Sequence, residues 1–167
     1  MNAVVSTITQ LLPAEIITTD PEQITLYSQD VFTVGPPICA VVRPRGIDEV
    51  QALVRACLER GTPIVTRGGG MSYPSGFLAT APDSVLVDIA QMYAIVEVNL
   101  EDRYVTVEAG CSWQKLYEHL SPLDVRTPYW GTLSGRYATV GGGLSQNSIF
   151  WGSGQSGTAA DNVLSVS

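Results

Sequence analysis

Ten residues, RGGGMSYPSG at 67–76, carry four glycines, two serines and a proline beside one arginine and no acid. Glycine loses more backbone freedom on ordering than any other residue. Three in succession, Gly68, Gly69 and Gly70, therefore require either a tight turn or a close approach of main chain to a ligand. The acids sharpen this choice. Residues 60–82 and 125–160 contain neither Asp nor Glu, and these two windows hold thirteen of the sixteen glycines, five in the first and eight in the second. Two readings are open: a pair of neutral loop regions, or two loops that face one anion, where a desolvated carboxylate would be strongly disfavoured.

The surroundings of the first loop give it a place in a fold. AVVRP at 40–44 is a short β-branched run stopped by Pro44. GIDEVQALVRACLERG then sets Ile47, Val50, Val54 and Cys57 at helical spacing, with acids in the first turn and Gly61 as terminator. TPIVTRGGG is a second apolar strand that runs directly into the glycines. Strand, helix, strand predicts a parallel crossover, so the glycine loop leaves the carboxyl end of a strand, the usual ligand edge of such sheets.

Further along, SVLVDIA (84–90) reads as a strand buried on both faces. IVEVNLEDRYVTVEAG (95–110) alternates about Glu101, Asp102 and Arg103 as a β-hairpin. SWQKLYEHL places Trp113, Leu116, Tyr117 and Leu120 on one helical face, with His119 off that stripe and expected at the surface. VVSTITQLL near the N-terminus predicts a short amphipathic helix rather than a signal peptide, and DNVLSVS at the end predicts a strand.

Composition excludes several classes of partner. Sixteen acids against nine bases give a net charge of −7, which argues against nucleic acid or an anionic membrane, and no apolar run approaches a bilayer span. Cys39, Cys57 and Cys111 are odd in number and widely spaced, as expected of reduced thiols. With His119 as the one imidazole, no metal site is expected. Cytoplasm is the expected compartment.

Neither glycine segment is a standard phosphate motif. RGGGMS lacks the lysine and hydroxyl of a Walker loop. In G-x-G-x-x-G register the third glycine falls on Tyr73, with Pro74 next where a helix should start. What remains is a run of main-chain N–H groups able to curl around a pyrophosphate without a dedicated cation, with the Ser72 hydroxyl in reach.

Four stretches in order, VVRPRGIDEVQALVRACLERGTPIVTRGGGMSYPSG, VLVDIAQM, VTVEAGCSWQKLYEHL and TVGGGLSQNSIFWGSGQSGTAADNVLSV, resemble the FAD-binding domain of the vanillyl-alcohol oxidase and p-cresol methylhydroxylase (PCMH-type) flavoproteins. The resemblance covers residues 38–167 and leaves 1–37 as a helical and extended lead-in. It implies an α+β fold of two lobes, an N-terminal βαβ lobe and a second mixed α/β lobe, with extended FAD between them. It also implies that Gly68, Gly69, Gly70, Met71, Ser72 and Gly76 wrap the pyrophosphate, with Arg67 bracing the loop. Ser134, Thr139, Gly141, Gly142, Ser145, Ile149 and Gly152 would line the flavin and its ribityl chain. For Thr139 and Ser145 the alternative is ordinary capping or strand-edge hydrogen bonding. Trp130 and Trp151 are expected in the core or at the lobe interface rather than stacked on flavin.

Two departures matter. Relatives that tether flavin through a histidine after the glycines have Met71 replaced by that histidine, so non-covalent FAD is expected here. The chain also ends at Ser167, where relatives continue into more of the flavin lobe and a substrate domain. The expectation is thus the FAD-binding portion of a flavin-dependent oxidoreductase that moves hydride from a hydroxyl- or amine-bearing carbon. Catalytic residues and the small-molecule substrate site would lie in the absent domain. The chain alone is expected to be inactive, and a homo-oligomer is left open. The alternatives are a non-catalytic flavin- or dinucleotide-binding module and a reductase of the enolpyruvyl-UDP-sugar type.

Overall fold

Asn2 begins the first helix by accepting the Val4 N–H on its side chain, and α1 (Ala3–Leu11) buries Val4, Val5 and Ile8. The structure is a computed structural model that describes residues 2–128 and 133–167. It divides into two units, Met1–Gln91 and Met92–Ser167.

In the first unit, β1 (Ile17–Thr18) is followed by α2 (Pro21–Tyr27), which has Asp20 as N-cap and proline in its first turn. Then come β2 (Ala40–Val42), α3 (Ile47–Glu59), β3 (Ile64–Arg67) and β4 (Val85–Asp88). The strands form one sheet in the order β1-β2-β4-β3, with β1 antiparallel to β2 and both β2 and β3 parallel to β4. The predicted strand–helix–strand unit is present, and β4 lies between its two strands. All four β4 residues are buried because the strand has neighbours on both edges and cover on both faces.

On one face, Val4, Ile8, Leu53, Ala56 and Cys57 of α1 and α3 pack against Ala40, Val42, Val85 and Val87. On the other, Ile38, Val41, Ala79 and Leu86 form a second cluster with Ile24 and Tyr27 of α2 against it. The α3 stripe differs from the one predicted. Leu53, Ala56 and Cys57 are its buried residues, whereas Ile47 is 56% exposed and Val50 and Val54 are half-buried. The shift reflects where cover is available: α1 and the sheet meet α3 along the Leu53–Cys57 side, and the first turn projects past them. Gly61 ends the helix as expected, at φ +62, with its N–H on the Leu58 carbonyl and the Thr62 N–H on that of Cys57.

The second unit opens with the predicted hairpin, β5 (Ile95–Asn99) antiparallel to β6 (Tyr104–Val107), with a bulge between Ile95 and Glu97. In α4 (Trp113–Leu120) the Ser112 hydroxyl accepts the Lys115 N–H, and Trp113, Leu116 and Leu120 are buried while Tyr117 and His119 stay exposed. Two short helices come next, α5 (Val140–Ser145) and α6 (Ser153–Ser156). Cys111, Trp113, Leu116 and Leu120 form the core with Ile95, Val98, Val105, Val107, Val140 and Phe150, and the Trp113 and Phe150 rings meet edge to face at 5.1 Å.

Two expectations fail in this unit. DNVLSVS is not a strand: Ala160–Asn162 is a 3₁₀ turn and the rest has no regular structure. Among the described residues no strand lies beside it, and a β-branched run without a ladder partner has nothing to satisfy its backbone, leaving Leu164 and Val166 more than 80% exposed. Of the core and lobe-interface positions expected for Trp151, the core one does not hold, since it is 72% exposed; among the described residues the buried indole is that of Trp113. Trp130 lies outside the described residues.

Candidate functional site

The parallel strands β2, β3 and β4 end together, and the residues at and just past their ends build the site on the first unit. Arg43 comes directly after β2, Arg67 ends β3 and enters the glycine loop, and Asp88 ends β4 opposite Arg67 in register. Asp88 is 4% exposed. Its Oδ2 accepts the Tyr27 hydroxyl at 2.9 Å and faces Arg43 Nε at 3.8 Å and Arg67 Nη1 at 3.9 Å, while Oδ1 accepts the Ala90 N–H. Arg43 also donates to the Tyr27 oxygen at 3.2 Å. Two guanidiniums against one carboxylate leave this edge with a net positive charge.

The Arg67 guanidinium is held between rings, 4.7 Å from the centre of Tyr27 and 5.2 Å from that of Phe77. Directly against it lies Gly70, at φ +67, where a Cβ would collide with the guanidinium. Gly70 thus answers two demands, a left-handed backbone and contact with a pinned side chain. The Arg67 Nε is buried with no hydrogen-bond partner among the described residues, so its lodging rests on stacking and charge. Farther along, Gly76 donates its N–H to the Ser72 oxygen at 3.3 Å, and the Asp30 carboxylate accepts the Ser75 N–H at 3.1 Å.

Arg67, Gly68, Gly69, Gly70, Met71, Ser72 and Gly76 are therefore one loop, folded over an arginine at the carboxyl edge of a parallel sheet. The loop fits a diphosphate in two respects: its own residues carry no acid, and the cluster at the strand ends beneath its start holds two guanidiniums against one carboxylate. The acid-free window in the sequence is nonetheless not acid-free in space, since Asp88 and Asp30 reach it from outside, both already engaged by donors. Sequence reasoning missed Tyr27, Arg43, Phe77 and Asp88. A charged residue closing an apolar strand, as Asp88 closes VLVD, was a usable signal; Tyr27 offered none.

On the second unit, Thr139, Gly141, Gly142 and Ser145 come together in and before α5. The Thr139 oxygen caps the helix by accepting the Gly142 N–H at 3.1 Å, and the Ser145 hydroxyl donates to the Gly142 carbonyl. Gly141 lies so close to Ala109 that a Cβ would fall 2.8 Å from its carbonyl oxygen and 2.7 Å from its methyl. That glycine has a packing reason independent of any ligand. Gly141→Ala is expected to destabilise the protein by about 1–3 kcal/mol through overpacking against backbone, read as a lower urea midpoint by circular dichroism. Asn147, at φ +44, closes the helix, with the Ser148 N–H on the Gly143 carbonyl. The Ser134 carbonyl accepts from Tyr137 and Ala138, Ile149 is 79% exposed, and Gly152 starts α6 at φ +105.

Other chemistry is sparse. The three thiols are free, and burial, helped by the charge of Asp83, pushes that of Cys39 up to about 11. Burial raises Cys57 and Cys111 as well, so none is a ready nucleophile. Among the described residues no His, Cys, Asp and Glu cluster could hold a metal, and no helix is long and apolar enough to cross a membrane.

Comparison with known proteins places these features. A family model described as an FAD binding domain matches residues 38–167. The mitochondrial D-lactate dehydrogenase (cytochrome) of Kluyveromyces lactis is 29% identical over 128 residues, 75% of this chain and 22% of that protein. Among solved structures, alkyldihydroxyacetonephosphate synthase superposes with a TM-score of 0.85 at 17% identity over 96% of this chain and 31% of its own. p-Cresol methylhydroxylase with substrate bound superposes at 0.75 with 21% identity over 87% and 29%. The fold is thus the mixed α/β, PCMH-type one of FAD-dependent flavoproteins. The chain belongs to the FAD-binding domain family, and it spans about a fifth of the length of the curated relative it matches here.

Proposed function

We propose that this chain binds FAD non-covalently and serves a flavin-dependent oxidoreductase. The observation that carries the reading is the glycine loop held over the Arg67 guanidinium at the carboxyl edge of the sheet. There the N–H groups of 68–72 would take the pyrophosphate, with Gly76 closing the loop through its N–H on the Ser72 oxygen. Ser134, Thr139, Gly141, Gly142, Ser145, Ile149 and Gly152 are assigned to the flavin and ribityl chain. The chemistry the cofactor supplies when bound is acceptance of hydride from a carbon bearing a hydroxyl or an amine. The named activity of the D-lactate dehydrogenases makes 2-hydroxy acids the first substrates to try, with residues outside this chain assigned to choosing them. Met71 offers no histidyl nitrogen for a tether, and the raised thiols offer no thiolate.

Titration with FAD and FMN, monitored by flavin fluorescence, tests the assignment. FAD should bind at least about tenfold more tightly, since FMN lacks the second phosphate, worth about 1.4 kcal/mol or more. Equal affinities would remove the pyrophosphate loop from the reading. After acid precipitation the flavin should stay in the supernatant; a yellow pellet would refute non-covalent attachment.

A further inference from the structure

We propose that the turn at 27–35, which lies outside the part of the chain matched by the family, is a template that sets the conformation of the glycine loop, with Asp30 as its principal positioning residue. Four contacts join the two segments. The Tyr27 ring lies under Arg67 at the start of the loop. The Phe32 and Tyr73 rings meet at 6.3 Å in its middle, and Asp30 Oδ2 accepts the Ser75 N–H at 3.1 Å near its end. Gly35 sits against Leu78 and Ala79 just beyond, its N–H donated to the Ser28 carbonyl at 2.8 Å.

Asp30 divides its two oxygens between the segments. Oδ1 accepts the N–H groups of Phe32 at 2.8 Å and Thr33 at 2.7 Å, which shapes its own turn, and Oδ2 reaches across to Ser75. Ser75 needs that reach: it stands at φ +58, a left-handed conformation that costs a residue with a Cβ. The Phe32 N–H, then the Thr33 N–H and the hydroxyl and N–H of Ser75, hold the Asp30 carboxyl below its ordinary 3.8 against partial desolvation, so the anchor is ionised at neutral pH. The pattern is that of a local turn whose spare acceptor fixes a strained residue in the loop beside it.

The proposal rests on the FAD reading above for its consequence, and one substitution separates the two. Asp30→Asn keeps an oxygen for Phe32 and Thr33 but turns an NH₂ donor toward the Ser75 N–H. Amide hydrogen exchange by mass spectrometry, on the protein without FAD, should show faster exchange across 67–79 and unchanged exchange in α1 and α3. Melting temperature should move little, and FAD should bind about tenfold more weakly, the loss of one charge-assisted hydrogen bond. Unchanged exchange in the loop overturns the template outright. Faster exchange with unaltered FAD affinity overturns Asp30 as a positioning residue for the cofactor. Wild-type protein that binds no FAD overturns the proposed function instead, and the exchange result then still decides whether the turn shapes the loop.

Discussion

Gly69→Glu should raise the dissociation constant for FAD by about two orders of magnitude. A carboxylate introduced about 5 Å from a phosphate, at an effective dielectric of about 20, repels it by about 3 kcal/mol. The side chain also fills space that the main chain is assigned to share with the ligand. Gly69→Gln, equal in size and uncharged, separates the two effects: it should weaken binding less, and raising the salt concentration should narrow the gap between the variants. Fluorescence titration of the three proteins reads this directly. A Gly69→Glu protein with wild-type affinity would show that this loop does not touch the phosphates.

The second large effect is expected at Asp88. Asp88→Asn keeps the shape of the side chain and removes the charge that faces Arg43 and Arg67 at 3.8 and 3.9 Å, leaving two cations near a carboxylate-free edge. Because Asp88 is buried and both arginines are about three-quarters covered, the penalty should be about 3 kcal/mol, equivalent to a fall of about 1–2 M in the urea midpoint. Adding Arg67→Met should recover part of it by removing one uncompensated cation. Tyr27→Phe, which deletes two hydrogen bonds but no charge, should cost less, about 1–2 kcal/mol. If Asp88→Asn were neutral by chemical denaturation, the cluster would behave as an exposed ion pair and could not be what holds Arg67 beneath Gly70.

Affinity and stability are expected to separate between these two sites. Gly69 lies in the loop itself and should affect the ligand far more than the fold. Asp88 holds the floor of the loop, so its loss should register in both.

Local rules were sufficient wherever one segment settles its own conformation. The helix stop at Gly61 and the hairpin about 101–103 depend on residues adjacent in sequence, and each was legible there, as was the unbroken apolar run of VLVD. The glycine loop was legible as a loop for the same reason, since a run of residues without Cβ atoms marks a turn or a close approach locally. DNVLSVS misled because its β-branched pattern is a capacity to pair, and pairing depends on a neighbour the segment does not contain. The α3 stripe was displaced because which turn of a helix is covered is set by the elements that reach it, here α1 and the sheet.

Residue order alone was enough to make 67–76 a glycine-rich loop free of acids, placed at the end of a parallel strand. The groups that stand around that loop were settled by folding. Tyr27, Asp30, Arg43 and Asp88 all lie outside it along the chain: Asp88 meets Arg67 and Arg43 only once β2, β3 and β4 pair, and Tyr27 and Asp30 reach Arg67 and Ser75 only once α2 and the turn after it lie across the sheet. A charge acts through space over a few ångströms, and sequence distance carries no measure of that separation until the chain has folded.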